Sequence, residues 1–429
     1  MIKKLLTIAA LGFSVNSMAL SPEPAAPQET PIAIVGTTIH VGDGTVIEQG
    51  IVTFADGLIT GVYANDETPE LDGHDVLELP GEHLYPGFIL PNTRVGLREV
   101  GASRATIDDR ERGLVNASVR TLVAFNTDSE LLPTYRFNGV LTAQVTPRGA
   151  LVAGNSSVVQ MDAWNWQDAA VEADDALHIY WPNPVKRKVD AIRQEISYEL
   201  DDRYEERVEV LRALFAEARQ RETTNLNALA VQKVLVGERQ LFVHAEQAKQ
   251  LADAIQFIRN FGIPKPVLVG AREALKVRDL VLAADIPVLV QTVHGLPSMP
   301  GRSVDESYER AALFVKAGFT IGLAAKVRME PSSGRNLPFM AGTVAAYGIG
   351  KAEALRLITL GNAELLGIDD RLGSITVGKQ ATLFTSRGDA LDMRSNSLTS
   401  AFTQGRSIRI EGMQQELYER FSRKYQAGE

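Results

Sequence analysis

Beyond the Pro86-Gly87 step, short apolar runs alternate with amphipathic helical patterns, and this alternation restricts the chain more than any other feature in it. Gly139–Val145, Leu241–Val243, Pro266–Val269, Ile286–Val290 and Phe319–Leu323 are short and mostly apolar, the texture of parallel strands buried on both faces. Between several of them stand patterns such as Ala248–Asn260 and Asp305–Ala317, whose apolar residues return every three or four positions. Parallel strands need crossover connections, and helices on the sheet faces supply them. An α/β fold with a (β/α)8 TIM-type barrel over residues 84–373 is therefore expected, since such barrels take about 250 residues and more with insertions. A doubly wound open sheet is the alternative.

The flanks read differently. From Ile32 to Leu79, β-rich runs are punctuated by Gly42-Asp43-Gly44 and Asp56-Gly57, which are hairpin signals and predict a small antiparallel sheet. Strand character returns from Gly373 to Phe384, and a final helix is expected from Gln414 to about Tyr425. Lys186 to Arg221 mixes acids and bases throughout and reads as a long charged helix, or two, on the solvated outside or at a subunit contact. Pro147 to Ser157 contains glycines and small polar residues and reads as a loop after a strand.

The first residues carry Lys3 and Lys4, an apolar run from Leu5 to Val15, and small residues at Ser17 and Ala19. This predicts a secretory signal over 1–19, cut after Ala19 and followed by a Pro-rich linker over 20–31, so a periplasmic or secreted protein. The apolar run is too short to span a bilayer, and no later segment is long and apolar enough for a membrane helix. Losing Lys3 and Lys4 takes the formal charge from -9 to -11, which repels phosphate backbones and argues against nucleic acid as a partner. The absence of cysteine excludes disulfides, thiolate zinc sites and cysteine nucleophiles.

Two motifs resemble one known family. Leu84-Tyr85-Pro86-Gly87-Phe88-Ile89-Leu90-Pro91-Asn92-Thr93-Arg94 resembles the first barrel strand of the metal-dependent amidohydrolase superfamily, which ends there in His-x-His. Glu353 to Gly367, followed by Arg371-Leu372-Gly373-Ser374-Ile375 and Gly378 to Leu383, resembles the closing segment of its imidazolonepropionase-like group, as does Arg335-Asn336-Leu337-Pro338-Phe339 just upstream. The resemblance runs from about Ile34 to Ile410. It implies that residues 32–83 and 374–412 join into one small β-sandwich domain beside the barrel, with 413–429 as a C-terminal helix. It also implies metal at the barrel mouth activating water to hydrolyse non-peptide carbon–nitrogen bonds.

The implied ligands are mostly replaced. The His-x-His positions are Asn92 and Arg94, and a guanidinium has no lone pair for a cation. Phe242-Val243-His244-Ala245 keeps the fifth-strand histidine, so His244 is the candidate catalytic residue and the one candidate metal ligand. No histidine stands in Val267–Ala274, and no aspartate in Gly318–Arg335, where Ala324-Ala325 occupies the expected place. Asn92, Arg94, Arg335 and Asn336 become candidate ligand-binding residues, suited to an anionic, carboxylate-bearing small molecule. His294 reads as a loop-stabilising residue. Asp108, Asp109 and Glu111 form an acidic stretch that reads as solvated, with Asp108 or Glu111 as possible partners of His244. Three functions stay open: a working hydrolase with a divalent metal such as zinc; a non-catalytic ligand-binding or interaction module without cofactor; and metal-free acid–base catalysis. A homodimer through outer helices is a further expectation.

Overall fold

The computed structural model describes residues 23–190, 195–220, 222–297, 301–325 and 331–426; the expected signal sequence lies outside them. The N-terminal part contains β1 (Ile32–His40), β2 (Val46–Ala55), β3 (Leu58–Tyr63), β4 (Asp75–Glu78) and β5 (His83–Pro86). Near the C-terminus lie β18 (Leu383–Ser386), β19 (Leu398–Thr403) and β20 (Arg406–Ser407). They form one eight-stranded sheet in the order β20-β19-β18-β5-β1-β2-β3, with β4 also paired to β1. The junction of the two chain ends is β18 against β5, antiparallel, Leu383 opposite Pro86. Such a sheet, which twists as it widens, is compatible with the expected sandwich. Its core is Ile34, Ile39, Val52, Phe54, Leu383 and Phe402, with the Phe54 and Phe402 rings edge to face at 5.0 Å. The β1–β2 turn needs Gly42: its φ is 100°, and a Cβ there would lie 2.7 Å from the Gly373 carbonyl, so this turn also touches the returning chain.

The central part contains β6 (Phe88–Thr93), β7 (Val140–Val145), β8 (Val152–Asn155), β9 (Ser157–Gln160), β10 (Ala170–Glu172) and β11 (Ala176–Tyr180). After the hairpin β12 (Val185–Asp190) and β13 (Glu195–Leu200) come β14 (Gln240–Ala245), β15 (Pro266–Gly270), β16 (Val288–Val290) and β17 (Ile321–Leu323). Two sheets result, β10-β9-β7-β6 and β17-β16-β15-β14-β11-β8. The run 152–160 passes from one to the other at Ser156, antiparallel to β7 through β9 and to β11 through β8. β10 is antiparallel to β9, and the remaining neighbours in these two sheets, β6–β7 and β11-β14-β15-β16-β17, are parallel.

Among the described residues, hydrogen bonds between strands do not close this array from β17 to β6. Asn362, fully buried on the helix Leu360–Leu366, bridges the gap instead. Its Nδ2 donates to the carbonyls of Ile89 on β6 and Leu323 on β17, each at 2.8 Å, and its Oδ1 accepts from the Leu323 N–H at 3.1 Å. Gly322 leaves room for it, since a Cβ there would lie 2.2 Å from Asn362 Oδ1. The arrangement is mixed α/β and compatible with the expected barrel, with a reversed third strand and a side chain in place of the last strand pairing.

Two expectations are corrected. Lys186–Arg221 is not helical throughout: β12 and β13 form a hairpin, Lys186 opposite Glu199, and helix occupies Tyr204–Ala218. Ile196, Tyr198 and Leu200 alternate with Ser197 and Glu199, and Val185 and Val189 stand four apart on the other strand, so a strand period was hidden in a charge-rich stretch. Residues 152–160 are buried strand rather than loop, with the polar Asn155, Ser156, Ser157 and Gln160 inside the protein.

Replacing Asn362 by Leu removes its bonds to the buried Ile89 and Leu323 carbonyls and leaves the Leu323 N–H only its 3.3 Å bond to the Leu357 carbonyl, and should lower unfolding stability by about 2 kcal/mol or more. Urea titration checks this, and a midpoint equal to that of the parent protein would contradict the bridging role.

Candidate functional site

The C-terminal ends of β6, β7, β11 and β14 gather at one mouth, and the first metal-ligand position there is distorted. Asn92 has φ 55°, and the β6–β7 register slips between Leu90 and Thr93, interrupting the alternation that would put positions 92 and 94 on one face. The Asn92 N–H donates to Gln144 Oε1 at 3.1 Å. Arg94 is 5% exposed and its Nη1 lies 3.1 Å from Asp109 Oδ2. The fully buried Asp109 carboxylate also takes Arg110 Nε at 3.2 Å and faces Arg98 Nη1 at 3.9 Å. The Asp109 carbonyl accepts the Arg148 N–H at 2.6 Å, and the Arg148 charge acts on the Tyr180 hydroxyl. Burial pushes that phenol up to about 12, so it stays neutral as it donates to the Pro147 carbonyl at 3.3 Å.

His244 on β14 stacks on Tyr180, ring centroids 4.0 Å apart, and begins a buried hydrogen-bonded chain. Its Nε2 lies 3.0 Å from His178 Nδ1; His178 Nε2 lies 2.9 Å from Ser156 Oγ; Ser156 Oγ lies 2.7 Å from Asp175 Oδ1. Gln144 Nε2 donates to the other Asp175 oxygen at 2.6 Å. With Asp175 ionised, its oxygens only accept, which sets the direction of the whole chain. Ser156 donates to Asp175 and accepts from His178 Nε2–H, and His178 Nδ1 accepts from His244 Nε2–H. His244 therefore carries its proton on Nε2 and its lone pair on Nδ1. Burial holds the His178 imidazole down at about 3, and burial raises Asp175 to about 6 against the pull of its Ser156 and Gln144 hydrogen bonds.

These side chains do not fit a divalent cation. His244 commits Nε2 to His178, Arg94 brings a positive charge, and the sixth-strand position is Ala271, where the chain turns with φ 47° and the Arg272 N–H donates to the Glu246 carboxylate at 3.3 Å. Ala324 and Ala325 are buried and apolar. Among the described residues, no three His, Asp or Glu side chains are grouped to hold a metal ion. A catalytic zinc usually takes three protein ligands.

Arg335 and Asn336 do not join this cluster. The Arg335 carbonyl accepts from Asn138 Nδ2 at 2.8 Å, and Asn138 lies just before β7 begins, at the end opposite the mouth. Asn336 precedes the helix Leu337–Val344 and makes no side-chain cap bond to it. His294 has the expected loop-holding role, its Nε2 2.7 Å from Thr343 Oγ1 and its ring beside Tyr308. Of the acidic stretch, Asp108 and Glu111 are exposed, and Asp109 is the residue that turns inward. Sequence reasoning missed His178, Tyr180, Asp175 and Gln144. The i, i+2 pair His178 and Tyr180 beside an apolar strand, just after Asp175, was the available signal.

The amidohydrolase family profile matches residues 202–407. An imidazolonepropionase from Phocaeicola vulgatus is 26% identical over 371 residues, covering 78% of this chain and 84% of its own. An amidohydrolase structure from Thermotoga maritima superposes with a TM-score of 0.74 at 22% identity, over 88% of this chain and 99% of that one. Phenylurea hydrolase B does so at 0.58 and 17% identity, over 89% and 97%. The family profile over the C-terminal half, the imidazolonepropionase relative and the shared fold together support the amidohydrolase superfamily.

Proposed function

We propose that this protein is an exported amidohydrolase-superfamily member that does not run metal-dependent hydrolysis of non-peptide carbon–nitrogen bonds, and that it binds a small anionic molecule at its mouth. The carrying observation is the sharing of one buried carboxylate, Asp109, among Arg94, Arg98 and Arg110, with Arg148 alongside. One buried carboxylate shared among three guanidiniums leaves positive charge in excess at that contact, with the exposed carboxylates of Asp108 and Glu111 turned to solvent beside it. The Arg98 and Arg110 side chains are 25% and 58% exposed, so both can reach a ligand, while buried Arg94 orients Asp109. Guanidinium pairs suit carboxylates, which they clamp through two parallel hydrogen bonds. Likeness to hydrolases supports the fold's ancestry and leaves the chemistry to the site. Export is supported by the basic, apolar and small-residue order of the first nineteen residues.

A second reading, acid–base catalysis without metal, is favoured by one feature: the Asp175–Ser156–His178 chain holds the His244 lone pair on Nδ1. The two readings separate in a calorimeter, since the first requires stoichiometric, unreacted ligand.

Glutarate serves as the probe. The mature protein should bind it, and Arg98→Ala should weaken binding about tenfold or more, as loss of a hydrogen bond to a charged group does. No heat of binding, or binding unchanged in the variant, would contradict the proposal.

The buried chain makes a separate prediction. His178 is held below its ordinary 6.5, so its contribution to stability is full above that pH and is lost as pH falls toward 3. Asp175 is held above its ordinary 3.8, so its contribution is full below that pH and is lost as pH rises through about 6. Between pH 6 and 4 the two trends offset. His178→Gln should therefore gain stability on acidification relative to the parent, and Asp175→Asn should lose it, by up to about tenfold in the unfolding equilibrium constant per pH unit. Parallel pH profiles for all three proteins would refute the buried chain.

A further inference from the structure

Two aromatic surfaces remain uncovered. The first is a groove of about 470 Å3 between the helices Tyr204–Ala218 and Ala248–Phe261. Trp181, Tyr204, Phe257 and Phe261 line its floor, the Phe257 and Phe261 rings 4.6 Å apart. It is open because the first helix presents the small, exposed residues Ala213 and Ala216 there. The second surface is the helix Met413–Gln426, none of whose residues is buried. Tyr418, Phe421 and Tyr425 fall on one face at i, i+3 and i+7 and are 75%, 48% and 70% exposed. A helix of this length is marginal in water without a packed face.

Each surface has the form the other requires. An amphipathic helix seats apolar residues spaced by three and four in an apolar groove. The charges also give a direction. At the start of its first helix the groove carries Glu205, Glu209 and Asp253 against Arg212, paired to Glu209, and Lys249, paired to Asp253, a net negative charge; at the end of that helix it carries Arg219. Helix Met413–Gln426 is acidic in its first half, at Glu416 and Glu419, and basic in its second, at Arg420, Arg423 and Lys424. Antiparallel alignment sets basic against acidic at both ends. The helix leaves the fold at Gly412, packed on Pro133 ahead of β7, whereas the groove flanks β11 and β14, beyond the 152–160 run.

We propose that the aromatic face of helix Met413–Gln426 docks in the groove of a second copy of this chain, antiparallel to helix Tyr204–Ala218. Two copies that exchange helices about a two-fold axis close into a dimer with both grooves filled.

Light scattering and mixed cross-linking test this on the mature full chain. The parent should be a dimer, and Phe421→Glu should weaken it about tenfold or more while leaving the far-ultraviolet circular dichroism spectrum unchanged, because an exposed anchor is lost and no core contact. The chain has no cysteine, so single ones report proximity cleanly. Ser422→Cys mixed with Ala213→Cys should form a disulfide between the two variants, and neither variant should do so alone. A monomeric parent, a dimer indifferent to Phe421→Glu, or Ser422→Cys linking only to itself would each overturn the proposal.

Discussion

The three hydrogen bonds of Asn362 hold the first central strand to the last, and the mouth depends on that hold. Its amide satisfies main-chain groups of Ile89 and Leu323 that a neighbouring strand would otherwise take, in the buried interior. Ile89 is further fixed by donating its N–H to the Ile358 carbonyl at 2.9 Å, so the segment that resembles the family's closing helix is the part that joins the ends of the array. With β6 anchored there, the slip at Asn92 falls at the strand's far end, and the chain that follows it delivers Arg94 and Asp109 to the mouth. The composite sheet depends on the same return, since β18 reaches β5 only after this helix has turned the chain back.

Charge at the mouth is arranged to be self-sufficient. A buried carboxylate is costly unless paired and hydrogen-bonded, and Asp109 is both. Removing it would leave Arg94 buried without that countercharge, a change that typically costs about 3–5 kcal/mol. The neighbouring chain from Asp175 to His244 is satisfied in another way, by two imidazoles and a hydroxyl whose donor order is set from the carboxylate outward. Together the two networks occupy, with an arginine and an inward-bonded histidine, the positions the resemblance assigns to metal ligands.

Much of this was legible in the sequence and some was not, for physical reasons. The apolar runs around Leu241, Pro266, Ile286 and Phe319 announce parallel strands because helices packed on a parallel sheet bury both faces of each strand. The hairpin signals at Gly42 and Asp56 predict turns because the backbone there has positive φ. The replacement of Asn92 and Arg94 was visible from residue chemistry alone. The partner of Arg94 was not, because Asp109 sits among Asp108, Arg110 and Glu111 and only tertiary structure turns one of four charges inward. Ser156 was hidden likewise: a small polar residue between Asn155 and Ser157 resembles a turn until Asp175 and His178 are brought to it. Arg335 was placed by its motif, and its segment instead meets the opposite end of β7.

The central claim is that the rebuilt mouth has no use for a metal ion, and the metal content of the mature protein tests it most directly. The protein would be purified without chelator and without metal-affinity resin, then measured by inductively coupled plasma mass spectrometry. The account predicts zinc, manganese and iron all far below one equivalent per chain. Near-stoichiometric occupancy by any of them would contradict it and return His244 to the role of a ligand.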